Sequence, residues 1–237
     1  MRLRILGTRG NIEAWAPGHV KHSGILVDDR LLLDAGEKEY LSYGPRWIFI
    51  THLHSDHMAL EAGDMAKHVP IYVPEACRRL PSAQMVSSRP VVAGPYTITP
   101  VPTIHSHRVK SVGYVVEGRA QRVFYSSDMI RIESRYHGRL RDLDLVVTEG
   151  SFIRPGGLVR TDARTGKPFG HNGIPDLIEF FSRFTRSIVI THFGSWFFKN
   201  LTKSRSRIES FGNGVRVIPA YDGMTIDVAV LKAGSEK

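Results

Sequence analysis

The sequence predicts an α/β fold in which two layered β-sheets lie together with helices outside. Three observations predict it. Short aliphatic and β-branched runs recur along the 237 residues, bounded by Gly, Pro, Asp or Asn. These strand-like runs outnumber the helix-like ones. The first three follow one another with no helix between them, which is not the strict βαβ alternation of a doubly wound sheet.

In chain order, the runs expected to form strands are residues 2–6, 24–27, 31–34, 47–51, 71–73, 112–117, 123–126, 145–148, 188–191, 215–218 and 224–230, with a further run at 97–103. Two stretches carry apolar residues near helical spacing. Residues 59–68 do so at positions 59, 60, 62 and 66. Residues 176–184 place Leu177, Ile178, Phe180, Phe181 and Phe184 behind Pro175, a residue suited to the first turn of a helix. Residues 232–237 read as a polar tail. There is no internal repeat and no low-complexity tract.

Composition bounds the function. Hydrophobic residues make up 42% of the chain and 22 Gly accompany them, enough to build a core and to exclude disorder as a whole. Cys77 is the single cysteine, so a disulfide-stapled fold is excluded. The first ten residues show no signal-peptide pattern, and no run approaches the ~20 apolar residues of a membrane helix. A cytoplasmic, membrane-free protein is the expectation. With 32 Lys and Arg against 23 Asp and Glu, the formal net charge of +9 favours anionic partners, or else a solvated basic surface.

The run 47–51 leads into His52, His54, Asp56 and His57. Imidazole and carboxylate are ligands that zinc and similar divalent metals prefer. His52 and His54, two apart in an extended stretch, project to one side. Asp56 and His57 follow where the turning chain can aim them at a second ion. Other titratable residues sit just past apolar runs: His105 and His107 after 97–103, Asp128 after 123–126, and His192 after 188–191. One such His is more often structural. Several of them together with the His52–His57 cluster point to a metal site.

These residues resemble the metallo-β-lactamase-fold hydrolases, and within them the ribonuclease Z-like and phosphodiesterase branch. Ile5-Leu6-Gly7-Thr8 resembles that branch's first strand and turn, and Asp34-Ala35-Gly36 its Asp-x-Gly element. His107, six residues before Gly113-Tyr114, resembles its third-motif His. Ser127-Asp128 resembles the bridging-Asp motif, Thr191-His192-Phe193 the last metal His, and Gly170-His171-Asn172 the element that supplies a catalytic His.

The resemblance implies a four-layer αββα sandwich, α/β (α+β) in class, with residues 1–237 forming one domain. It implies two divalent ions, zinc or else manganese or iron. His52, His54 and His107 would hold one, Asp56, His57 and His192 the other, and Asp128 would bridge them. Such a pair, about 3.5–4 Å apart, holds a hydroxide as nucleophile. Asp56, Glu149 and His171 are the implied catalytic residues. Two departures point away from tRNA 3′ maturation. Only 20 residues separate His107 from Asp128, leaving no room for a tRNA-gripping arm, and Thr148-Glu149-Gly150-Ser151 lacks the His of the family's His-Glu-Ala-Thr element.

The segment 151–170 is expected to be a loop tied to the rim. Its Arg154, Arg160, Arg164 and Lys167 would grip an anionic substrate, unless they are merely a solvated surface. The leading expectation is a phosphodiesterase for a nucleotide, a cyclic phosphodiester or a short nucleic acid. A thioesterase or lactonase of the same fold is the second, and a non-catalytic nucleic-acid-binding relative the third. A homodimer is implied by the resemblance.

Overall fold

The computed structural model describes residues 1–64 and 69–233. Its elements in chain order are strands β1 (Arg2–Gly7), β2 (Gly24–Val27), β3 (Leu31–Leu33), β4 (Trp47–Phe49), β5 (Ile71–Val73), β6 (Gln84–Met85), β7 (Val91–Ala93), β8 (Tyr96–Thr103), β9 (Ser111–Gly118), β10 (Gln121–Ser127), β11 (Leu145–Gly150), β12 (Leu158–Thr161) and β13 (Pro168–His171). Helix α1 (Ile174–Phe181), β14 (Ser187–Phe193), helix α2 (Leu201–Glu209), β15 (Arg216–Pro219), β16 (Thr225–Asp227) and helix α3 (Val228–Ala233) complete the chain. Short 3₁₀ turns lie between several of them.

Two seven-stranded mixed sheets result, in the orders β16-β1-β2-β3-β4-β5-β6 and β15-β14-β11-β10-β9-β8-β7. Alternation along each strand explains why they stack. In β2, Ile25 and Val27 face the other sheet while Leu26 faces outward. In β11, Leu145 and Val147 point between the sheets and Val146 points out, under α1. The outer face of the second sheet is covered by Leu177, Ile178 and Phe181 of α1 and Ile208 of α2. That of the first is covered by Tyr40, Met58, Leu60 and Leu80, from 3₁₀ turns and loops. The result is a metallo-β-lactamase-type sandwich.

Every run expected as a strand contains one, but 224–230 divides. Only Thr225–Asp227 pairs, with β1; Asp227 then accepts a hydrogen bond from the Ala229 amide and the chain turns into α3. The expected helix 59–68 shows only a 3₁₀ turn at Ala62–Asp64, and residues 65–68 of that expectation lie outside the described residues. Of the expected tail, 234–237 also lie outside them. The segment 151–170 is not a plain loop, because β12 and β13 pair as an antiparallel hairpin. Helix α2 is not among the expected helices, since of its residues only Ser204 and Ile208 are buried and its apolar stripe is thin. Asn200 starts it by accepting the Lys203 amide at 3.0 Å. No helix of the described residues is long and apolar enough to cross a membrane.

Strand direction positions the site. β10, β11 and β14 are mutually parallel, and β8 runs the same way because it is separated from β10 by one antiparallel strand. Their C-terminal ends therefore share one rim, opposite the end of β4.

Candidate metal centre

The rim is built by strands that kink as they end. Asp34, Ser127 and His192 all adopt left-handed backbone conformations, at φ 58°, 56° and 52°. Register shifts fall between Tyr125 and Ser127 and between Glu149 and Gly150. Non-Gly residues in this region cost about 1–3 kcal/mol each, and such strain collects where side chains must be aimed.

After β4, the chain is tied down at Thr51, whose amide and hydroxyl both donate to Asp34, at 2.7 and 2.9 Å. His52 and His54 follow. A tight turn, with the amides of His57 and Met58 donating to the His54 carbonyl at 3.1 and 2.9 Å, brings Asp56 and His57 back toward the rim. Three groups of ligand atoms then form, each with its atoms within 4.8 Å of one another. One is His52, His54 and His105. Another is Asp56, His57, Asp128 and His192. The third, which overlaps the second, is Asp128, Glu149, His171 and His192.

Asp128 stands at the centre. Its Oδ2 lies 3.8 Å from His52 Nε2, 3.7 Å from His105 Nε2 and 3.4 Å from His57 Nε2, and its Oδ1 lies 3.3 Å from His192 Nδ1. One carboxylate thus reaches both main groups.

The donor set fits divalent cations. His52 Nε2, His57 Nε2 and Asp128 Oδ1 are buried with no hydrogen-bond partner among the described residues. Three orphaned polar atoms in one cluster carry a large desolvation cost unless a ligand satisfies them. The far nitrogen of each ring is held instead. His57 Nδ1 lies 2.7 Å from Asp34, His105 Nδ1 2.9 Å from the Gly170 carbonyl, and His52 Nδ1 3.1 Å from the Thr51 hydroxyl. This arrangement orients ligating imidazoles and leaves Nε2 for a cation.

Protonation divides the groups. Burial, with no carboxylate inside the group, lowers His52 well below its ordinary value, lowers His54, and takes His105 down to about 4. Burial acts the same way on His57 and His192. There the nearby carboxylates, Asp128 foremost, outweigh it and raise both rings above the ordinary value. Burial resists charge on Asp56 and Asp128 too, but the surrounding histidines win and hold both carboxyls low.

Beside these groups, His171 Nδ1 lies 2.7 Å from Glu149 Oε2 and 3.2 Å from the Ser151 hydroxyl. Glu149 Oε1 accepts the Met129 amide at 2.7 Å, which ties this pair to the residue after Asp128. Burial alone would lower His171, but Glu149, Asp128 and Asp56 together raise it to about 9.

The structure therefore brings His52, His54, Asp56, His57, Asp128, His192, Glu149 and His171 together. It does not bring His107; the histidine that joins His52 and His54 in the first group is His105. The cause is the pairing of Ile104 with Arg131, which keeps the chain extended past β8 and points His105 into the rim. At Ser106 the chain turns, its hydroxyl accepting from the amides of Arg108 and Val109. His107 is carried away to Asp162, at 3.7 Å, and onto the Phe169 ring. His105 also lies nearer its strand end, as the other candidate ligands do, which is a usable signal.

Of the four basic residues in 151–170, Arg154 donates to the Gly157 carbonyl at 2.9 Å and braces the hairpin base. Gly157 itself, at φ 54°, lies so close to the His171 carbonyl that a Cβ would come within 2.3 Å of it. Arg160 and Arg164 lie exposed on the hairpin, and Lys167 reaches a neighbouring cleft. Sequence reasoning misses the supports: Thr51, Tyr125, whose hydroxyl donates to Asp34 at 2.8 Å, and Ser151, which lies 3.0 Å from His192 Nδ1. Thr51 and Ser151 fall inside motif-like segments, but no local pattern marks the supporting role of these three side chains.

A family model for the beta-lactamase superfamily domain matches residues 38–193, a span that includes every residue of the three groups, and the chain belongs to that superfamily. Its members are mostly metal-dependent hydrolases. Among solved structures, the chain is similar to the metallo-beta-lactamase fold protein YhfI from Bacillus subtilis, at 20% identity over 95% of this chain and 98% of that one, with a TM-score of 0.70. It is similar to a diphosphatase of the PhnP family, at 16% identity over 95% and 97%, TM-score 0.67. The short form of human tRNase Z is similar at 17% identity over 96% and 99%, TM-score 0.64. No curated protein sequence matches.

Proposed function

We propose that the protein is a binuclear metal-dependent phosphodiesterase acting on a nucleotide, a cyclic phosphodiester or a short nucleic acid. The observation that carries this reading is the central place of Asp128, within 3.3–3.8 Å of imidazoles from both main groups. His52, His54 and His105 would hold one cation, Asp56, His57 and His192 the other, and Asp128 would bridge. Zinc suits this nitrogen-rich set, as would manganese or iron. Cations bound there supply Lewis-acid polarisation of a phosphoryl oxygen and a water of lowered pKa.

The protein's own residues do the rest. Glu149 holds His171 Nδ1, so Nε2 is the nitrogen free to deliver a proton to the departing oxygen. The Glu149 carboxylate favours the protonated ring and so keeps that proton on His171. Glu149 acts through His171 and is a positioning residue. The diphosphatase and the tRNase among the similar structures support phosphoester chemistry over a thioester or lactone bond.

The test compares turnover of bis(p-nitrophenyl) phosphate, a thioester and a lactone by protein of measured metal content. Preference for the thioester or lactone would move the reading to that class. His171→Ala should keep both metals and slow phosphodiester turnover by about 10²–10⁴. The loss should be smallest for the nitrophenyl ester, whose leaving group needs no acid. An equal loss on natural and activated esters would make His171 a positioning residue instead.

A further inference from the structure

Outside the metal-binding groups, a cleft of about 780 Å³ opens where the two sheets part. We propose that it binds a nucleoside monophosphate unit, and that this unit is one side of the phosphodiester the neighbouring site would cleave. The second clause rests on the phosphodiesterase reading; the first does not.

The cleft is of ligand size, within the roughly 300–1,000 Å³ typical of small-molecule sites. Its apolar wall comes from both sheets, with Pro74 and Val86 beyond β5 and β6, Pro102 and Ile104 at the end of β8, and Val112 on β9. Such a wall suits a flat aromatic base.

Its charge suits a phosphate. Four basic residues line it, Arg108, Lys110, Arg135 and Lys167, against two carboxylates. Both carboxylates are engaged: Glu133 pairs with Arg135 at 2.6 Å, and Glu75 accepts the Lys110 backbone amide at 3.0 Å. Arg108, Lys110 and Lys167 are left without an acidic partner among the described residues. His107 lines the same cleft, and its Nδ1 is buried with no hydrogen-bond partner. The histidine that the sequence offers as a metal ligand, held near Asp162 through Nε2, therefore keeps Nδ1 for a second site.

Position ties the cleft to the chemistry. Ser106, on its wall, follows His105 directly. Pro168, which also lines it, begins β13, which ends at His171, three residues or about 10 Å further along an extended strand. The two segments are stitched together between these points: the Gly170 amide donates to the His105 carbonyl at 2.7 Å, and His105 Nδ1 lies 2.9 Å from the Gly170 carbonyl. A substrate spanning this seam would place one phosphate in the cleft and the next among the metal ligands.

The test is calorimetric titration of chelator-treated, metal-free protein with adenosine 5′-monophosphate, adenosine and inorganic phosphate. The monophosphate should bind at least tenfold more tightly than either fragment. The exposed triple variant Arg108→Ser, Lys110→Ser, Lys167→Ser should weaken it at least tenfold with an unchanged melting temperature. His107→Ala, a single change, should weaken it by a smaller factor. Equal binding of inorganic phosphate would overturn the nucleoside assignment, and equal binding of adenosine would overturn the phosphate assignment. Binding unaffected by the triple variant, or none at all, would overturn the cleft. Because no metal is present, these results are independent of turnover, so failure of the phosphodiesterase reading would be seen separately.

Discussion

The two main ligand groups lie a few ångströms apart yet solve opposite electrostatic problems. His52, His54 and His105 contain no carboxylate of their own, and burial keeps all three neutral. His57 and His192 sit with Asp56 and Asp128, which draw protons onto the rings; His192 Nε2 lies 3.0 Å from Asp56 Oδ2. In the first group His105 Nε2 lies 3.3 Å from His54 Nδ1, and His52 Nε2 is left without a partner among the described residues. The second can balance itself with protons and must release them when a cation enters. The lesson is that similar ligands become different sites through the placement of two carboxylates.

The largest effect should come from the residue that joins the groups. Asp128→Asn removes the negative charge both share, so metal content should fall from two per chain to one or none, and turnover to background. Elemental analysis with activity measurement checks this. Retention of two metals would break the idea that one carboxylate serves both groups.

A smaller loss should follow from emptying the first group alone. His105→Ala should remove one metal and leave the second, while His107→Ala should leave both. The reverse outcome would restore His107 as the ligand and undo the comparison, since the first group would then have a different third member.

The finest test is pH. For His57 and His192, whose folded pKa values are raised, protons compete with a cation already at neutral pH. Affinity in the second group should therefore fall as pH drops from 8 to 6. For His105, lowered to about 4, competition should begin only near that pH. Metal titrations in buffers of different ionisation enthalpy should show proton release at pH 7 from the second group and almost none from the first. The metal-free protein should respond in the matching sense. A raised His pKa contributes stability that is full below about 6.5 and is lost as pH rises, for His171 through about 9. Metal-free stability that rises steadily from pH 6 to pH 10 would contradict that.

Much of this is legible in the order of the amino acids alone. Strand runs are readable because both faces of most strands are buried, so aliphatic residues occur without interruption. His52, His54, Asp56 and His57 are readable because their spacing is local to one strand end and one turn. The resemblance to metal-dependent hydrolases follows from motifs in their order, and the family match confirms it.

The rest depends on contacts between residues far apart in the chain. The choice of His105 over His107 is made by Arg131, which pairs with Ile104 and extends β8 by one more residue pair. The pairing of Glu149 with His171 requires the 151–170 segment to fold as a hairpin and return to the rim. Periodicity fixes which side of a strand a residue occupies, but it ends where the strand ends. Beyond that point the direction of a side chain is set by whichever distant backbone captures the turning chain. The sequence by itself therefore determined the ligand types and the strands that bear them, and the tertiary structure alone decided which ligands meet.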